Sequence, residues 1–307
     1  MDEIFFIFPE SIAKEIKSLP SSFLNDLEEI RIRVLRPLEV VARGKPVFLN
    51  YTTTQEDSLA ILNKISKYSI YTLEEELRRG YITVEGGHRI GLAGKVITEN
   101  GKVKMIRNVT SFNIRIARAL VGIAEPIAPY VFEKKWLNTL LFGPPQTGKT
   151  TLLRDFARLI SNGWKNNPPQ KVGIVDERSE IAGCVKGIPQ HPFGIRVDVL
   201  DGCPKAEGMM MLIRSMSPNV IVADEIGRKE DTEALMEAIN TGVQVFVSAH
   251  GEQFDDLLMR PSLKSLLNSG IFERYIQLSR KKGPGTVLKV FDQDGKEIPL
   301  KASVTTR

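Results

Sequence analysis

The sequence predicts an α/β fold in two parts: a domain built on a mainly parallel sheet, preceded by a smaller α+β domain. Three observations carry this. From residue 136 onward, apolar strand-like runs alternate with segments of helical periodicity, the pattern of a parallel sheet. Residues 1 to 118 instead hold strand-like runs joined by short turns, the pattern of an antiparallel sheet. The changeover falls near NIRIARALVG, ahead of Pro126 and Pro129, so the expected domains are residues 1–118 and 119–307.

In the first part, IRIRVLR (30–36) and LEVVARG (38–44) read as strands, and a turn at Gly44–Pro46 leads into PVFL. Residues 54–68 show helical spacing through Leu59, Leu62 and Ile65. Thr72 then opens T-L-E-E, a capping box closed by Glu75, and Gly80 ends that short helix. YITVEG, HRIGLAGKVI and VKMIR follow as strands, the last two joined across Asn100-Gly101, a dipeptide suited to a tight hairpin. In the second part the expected parallel strands are WLNTLLFG, KVGIVDE, NVIVADE and VQVFVSAH. Ligands of such sheets gather at the strand C-terminal ends. A loop over about 183–204, containing glycine and proline, interrupts the alternation. RYIQLSR and TVLKVFDQDGKEI are expected as antiparallel edge strands with a turn at Asp294-Gly295.

Composition narrows the function classes. Hydrophobic and charged residues make up 42% and 26% of the chain, ordinary values for a water-soluble globular protein. No stretch approaches the roughly 18 to 20 apolar residues that cross a bilayer. The early run IFFIF is short, and Asp2 and Glu3 stand where a signal peptide would be positive. The expectation is a cytoplasmic protein whose membrane role, if it has one, runs through a partner. Two cysteines, Cys184 and Cys203, argue against a disulfide framework and against a four-cysteine zinc site. The net charge of +5 is uneven: +2 over 1–130, −3 over 131–259 and +6 over 260–307. The basic excess lies around Arg274, Arg280, Lys281, Lys282 and Lys289. It suits either a solvated face or a surface for nucleic acid or an acidic partner. The lack of interleaved aromatics favours the solvated face.

The chemistry gathers at four strand ends. GPPQTGKT (143–150) has the G-x-x-x-x-G-K-T spacing of a phosphate-binding loop and runs from an apolar strand into a helix. Glycines there let the backbone wrap phosphate oxygens, and the helix N-terminus faces them. Gly143, Pro144, Pro145, Gln146, Thr147, Gly148, Lys149, Thr150 and Thr151 are the candidate nucleotide contacts. Lys149 supplies charge to the β- and γ-phosphates of ATP, and the Thr150 hydroxyl can ligate Mg²⁺. VIVADE (220–225) ends in Asp224, the candidate metal carboxylate, and Glu225, placed to deprotonate a water aimed at the γ-phosphate or else to cap the next helix. VDERSE (175–180) offers Asp176, Glu177 and Glu180 as a second acidic wall; equally, it is a plain strand-to-loop transition with Arg178 paired locally. VQVFVSAH ends in His250, a candidate sensor of the γ-phosphate.

These four strand ends in this order, and above all SPNVIVADEIGRKEDTEALMEAINTGVQVFVSAH, resemble the secretion ATPase superfamily of type II secretion, type IV pilus and type IV secretion motors. The resemblance implies a RecA-like P-loop domain, ATP with Mg²⁺, and a hexameric ring. VDERSEIAG and GHRIGLAGKV extend it, over nearly the whole chain, to sporulation-specific members of that superfamily. That likeness implies a motor in the mother cell, docked on a membrane platform protein and acting on the channel to the forespore. In the superfamily an N-terminal domain closes over the nucleotide and supplies arginines; IRNVTSFNIRIAR offers Arg107, Arg115 and Arg118. Each is matched by the plainer reading of a salt bridge on a β surface. Two departures stand out. Asp224 replaces the glycine that pilus and type II motors usually carry before the catalytic glutamate, and Glu177-Arg178 replaces an Asp-Pro common after the acidic strand. A nucleic-acid-dependent ATPase using the basic C-terminal segment is the alternative. A small-molecule kinase is disfavoured, because its acceptor is not water and Glu225 would be idle.

Overall fold

A computed structural model describes residues 2–66, 77–78, 80–117, 120–281, 283 and 285–301 of the chain. The chain divides into two compact units. One is residues 1–118 together with 183–190, and the other is 119–182 with 191–307.

The first unit is a six-stranded sheet. Its strands are β1 (Leu27–Arg33), β2 (Pro37–Ala42), β3 (Lys45–Thr52), β4 (Tyr81–Val84), β5 (His88–Glu99) and β6 (Lys102–Arg115). They lie in the order β3-β2-β1-β6-β5-β4, every neighbour antiparallel. Alternation along β1 and β2 sends Ile30, Ile32, Leu38 and Val40 to one face. There they pack with Ile12, Ile16 and Ile61 from the helices Glu10–Lys17 and Gln55–Ile65. The second of these helices is capped by Thr54, whose hydroxyl accepts from the Asp57 amide at 3.2 Å while the Asp57 carboxylate accepts from the Thr54 amide at 2.8 Å. The expected box at Thr72–Glu75 lies outside the described residues. Asn100 and Gly101 both take left-handed backbones, φ 51° and 72°, and make the tight turn between β5 and β6.

The second unit has an eight-stranded sheet: β7 (Thr139–Gly143), β8 (Val172–Asp176), β9 (Val197–Asp201), β10 (Val220–Ala223), β11 (Gln244–His250), β12 (Arg274–Ser279), β13 (Thr286–Asp292) and β14 (Glu297–Ile298). The order is β14-β13-β12-β7-β11-β10-β8-β9. The stretch from β12 to β9 is parallel, and β13 and β14 add antiparallel neighbours. β7, β8 and β10 are buried at every residue, because helices cover both faces. On one side Leu141, Ile174 and Val222 pack with Leu152, Phe156 and Ile160 of the helix Lys149–Asn162. On the other, Leu140, Ile221 and Val245 pack with Leu212, Leu235 and Leu263 from three helices, Lys205–Ser215, Lys229–Asn240 and Pro261–Asn268.

Two elements differ from expectation. Part of the predicted loop, 197–201, is a strand: β9 runs parallel to β8 at the sheet edge. Its half-exposed Val-Asp-Val-Leu-Asp pattern has acidic residues where an inner strand would be apolar, so the sequence shows no continuous run. RYIQLSR is not at an edge either. β12 pairs antiparallel with β13 but also lies parallel against β7, with Tyr275, Ile276, Gln277 and Leu278 buried. The hairpin is a local signal, whereas the pairing with β7 spans more than a hundred residues.

Candidate active site

β7 ends at Gly143 and the loop 143–148 delivers the chain into the helix Lys149–Asn162. Gly143 has no room for a side chain: a Cβ there would meet the Leu278 carbonyl at 2.7 Å and the Thr147 hydroxyl at 2.9 Å. Gly148 enters the helix in the left-handed region, φ 90°, which glycine adopts without strain. Pro145 and Gln146 form the exposed crest; Thr147 is buried and donates its hydroxyl to the Pro144 carbonyl at 2.9 Å. The turn between β12 and β13 braces the loop from outside, the Gly285 amide donating to the Thr147 carbonyl at 2.7 Å. Lys149 is 5% exposed and donates to the Gly143 and Pro144 carbonyls, both at 2.9 Å. Its ammonium thus stands inside the ring of backbone that a polyphosphate would enter. Burial holds its pKa below the usual lysine value, while the carboxylates of Asp224 and Glu225 work the other way.

Thr150, next on the helix, donates its hydroxyl to one oxygen of Asp224 at the end of β10. Ser248 on β11 donates its hydroxyl to the other. This hydroxyl–carboxylate pair fits a Mg²⁺ that keeps several waters and takes its remaining ligands from phosphates. Among the described residues no group of three His, Cys, Asp or Glu side chains forms a closed metal cage.

Glu225 follows with a left-handed backbone, φ 50°, uncommon for a residue with a side chain. The turn is held by its own amide, which lies 2.9 Å from the Asp224 carboxylate and 3.0 Å from the Ser248 hydroxyl, and by Ile226 donating to the Ser248 carbonyl at 2.8 Å. Its carboxylate meets Arg178 at 2.6 Å and His250 Nε2 at 3.0 Å. His250 Nδ1 in turn lies 3.4 Å from the Lys149 ammonium. The neutral tautomer with its proton on Nε2 satisfies both contacts, donating to Glu225 and accepting from Lys149. Arg178, 59% exposed, makes a surface ion pair with Glu225, of a kind worth up to about 1 kcal/mol.

The end of β8 forms the other wall. A small cleft is lined by Asp176, Glu177, Arg178, Glu180, Lys205, Asp224 and Glu225, so the acidic ends of β8 and β10 face one space. The acidic residues in this wall are not equivalent. Asp176 is buried and accepts the amides of Glu180 and Ala182, both at 2.8 Å, which fixes the turn after the strand. Burial raises its pKa against those hydrogen bonds. Glu177 is paired with Lys205. Arg154, one turn along the helix from Lys149, donates to the carbonyls of Glu180 and Ile181 at 2.6 Å each, and burial lowers its pKa to about 10.

Lys149, Thr150, Asp224, Glu225 and His250 therefore come together, with Glu177 and Glu180 on the neighbouring wall. Thr151 sits half-buried in the first turn of the helix. Arg107 and Arg115 belong to β6 of the first unit, Arg115 lying 3.9 Å from Glu29; Arg118 lies outside the described residues. Sequence reading passed over Ser248 and Lys205. The S-A-H spelling gave a signal for Ser248, since alternate residues of a strand share a face. The basic C-terminal segment is partly taken up in structure. Arg274 holds the Tyr130 carbonyl at 2.8 Å and Glu133 at 2.7 Å, and Lys289 pairs with Glu297. Arg280 and Lys281 are exposed, and Lys282 is outside the described residues.

A family profile described as sporulation stage III, protein AA, matches residues 1–298. Stage III sporulation protein AA of Bacillus subtilis (strain 168) is 60% identical over 306 residues, covering all of both chains. The X-ray structure of the Legionella pneumophila ATPase DotB superposes with a TM-score of 0.58 at 16% identity, covering 84% of this chain and 73% of that one. The crystal structure of the pilus retraction motor PilT with bound ADP gives a TM-score of 0.57 at 16% identity, covering 84% and 76%. At that identity the likeness is one of fold: the RecA-like P-loop fold of secretion ATPases, here preceded by an antiparallel sheet.

Proposed function

The chain belongs to the sporulation stage III protein AA family, and on that footing we propose that it is an ATP-hydrolysing motor of the secretion ATPase type. The observation that carries this is the meeting of Lys149, the Thr150–Asp224 pair and the Glu225–His250 pair at the C-terminal ends of three adjacent strands, β7, β10 and β11. The backbone of 143–148 and Lys149 bind and orient the triphosphate. Thr150 and Asp224 would hold Mg²⁺, which would supply charge neutralisation on the phosphates. Glu225 takes the proton of a water whose oxygen attacks the γ-phosphorus; the bond to the β,γ-bridging oxygen breaks and ADP leaves. His250 links Glu225 to Lys149, so the state of the phosphate site reaches the base through one side chain.

In this reading the chain assembles as a homo-oligomer, a hexamer by resemblance. It works in the mother-cell cytoplasm and reaches the membrane through a platform protein of the sporulation channel. Among the described residues no helix is long and apolar enough to cross a membrane. Arg107, Arg115 and Arg118 stay as candidates for contacting the nucleotide. The alternative, a nucleic-acid-dependent ATPase, is weakened by the structural use of Arg274 and Lys289. The test is phosphate release from ATP and Mg²⁺ by the purified full chain with no added acceptor. Release that ceases in Lys149→Ala supports the reading; none from the wild-type chain, alone or concentrated enough to assemble, contradicts it.

A further inference from the structure

We propose that Arg178 distinguishes ATP from ADP at this site: it leaves Glu225 for the γ-phosphate when the triphosphate binds, and the exchange releases Glu225 to act on water. The proposal rests on the ATPase reading above. It is carried by the way the chain after β8 is pinned. Glu177, on one side of Arg178, is tied to Lys205. Ser179, on the other, takes a left-handed backbone, φ 53°, and donates its hydroxyl to Asp201 at 2.6 Å. Two residues upstream, Asp176 fixes the following turn by accepting the Glu180 and Ala182 amides. The backbone under Arg178 is thus held, and its long side chain reaches across to β10, where one guanidinium nitrogen stands 2.6 Å from Glu225.

The charges explain why the contact is exchangeable. Glu225 has both oxygens engaged, one by Arg178 and one by His250, and His250 leads on to Lys149 in the phosphate loop. Arg178 is mostly solvent-exposed, so its ion pair with Glu225 is weak and labile. A γ-phosphate presents more charge and three equivalent oxygens, to which a guanidinium binds through two parallel hydrogen bonds. ADP lacks that group and leaves Arg178 on Glu225. Only such a difference in contacts between the two nucleotides can shift the equilibrium. A local salt bridge with no further role would hold Glu225 equally whichever nucleotide is bound.

The experiment measures the affinities of ADP and of an ATP analogue with an imido group in place of the β,γ-bridging oxygen, each with Mg²⁺. They are compared in the wild-type chain, Arg178→Gln, Arg178→Ala and Arg178→Lys. We expect the two neutral variants to keep ADP affinity and to lose about ten- to a hundredfold in analogue affinity, the scale of one charged hydrogen-bonded contact. Arg178→Lys should recover part of the loss. Unchanged analogue affinity in both neutral variants, or an equal fall for both nucleotides, overturns the proposal. If the wild-type chain binds neither nucleotide, the ATPase reading itself fails and the assignment of Arg178 fails with it.

Discussion

The Ser248 hydroxyl donates to the Asp224 carboxylate, and the Glu225 amide lies within hydrogen-bond distance of both groups. A strand-end serine thereby holds the metal-side carboxylate and the backbone of the candidate base together. Ser248→Ala should raise the Mg²⁺ concentration needed for half-maximal ATP turnover by about tenfold, in the range seen when an orienting group behind a metal ligand is lost. A Mg²⁺ titration of turnover checks this, and an unchanged midpoint would reduce Ser248 to a packing role.

Lys149→Ala should leave the fold intact and remove ATP binding, because it deletes the ammonium inside the backbone ring without disturbing its glycines. The wild-type chain should show a pH signature of the same residue. Phosphate favours the charged ammonium, so affinity is full below the Lys149 pKa of the free protein and falls as pH rises through it. Burial has lowered that pKa, so the fall should begin below the ordinary lysine value of about 10.4. Nucleotide affinity measured from neutral to alkaline pH tests it.

Much of this site was readable in advance because its signals are local. The loop spacing of 143–150, the carboxylates closing VIVADE and the histidine closing VQVFVSAH each sit at the end of an apolar run, and the parallel sheet brings such ends together. What the sequence hid is set by partners far along the chain. β12 looks like half of a hairpin until β7 lies beside it. Asp176 reads as one more acidic residue until its burial and two amide partners show it fixing a turn. Arg178 reads as a loop charge until Glu225, 47 residues later, is seen across from it.

Asp155, on the helix Lys149–Asn162 that follows the phosphate loop, ties that helix to the segment at 122–124. It is buried, accepts the Gly122 and Ala124 amides at 3.1 and 2.7 Å, and pairs with Arg158 at 2.5 Å. Asp155→Ala removes the acceptor of one buried and one part-buried amide and the nearer of the two carboxylates beside Arg158, and should cost about 2–4 kcal/mol. Denaturant unfolding of the full chain reads this, and Asp155→Asn should recover part of it.

The arginines of the first unit are tested singly in the full chain. If one of Arg107, Arg115 and Arg118 meets the γ-phosphate, its replacement by alanine should lower turnover by about a thousandfold or more while ADP binding persists, the scale of an arginine finger. Near-normal turnover in all three would remove them from the mechanism.

The decisive measurement is ATP binding and turnover by Glu225→Gln. Glutamine keeps the shape and its one carbonyl oxygen can still accept from His250 or from Arg178, which engage separate oxygens of Glu225, but it cannot take up a proton as the carboxylate does. If Glu225 is the base, the variant binds ATP with Mg²⁺ as the wild-type chain does and hydrolyses it about 100- to 10,000-fold more slowly. Wild-type turnover in a folded Glu225→Gln chain would contradict that assignment and move the chemistry to the acidic wall at Glu177 and Glu180.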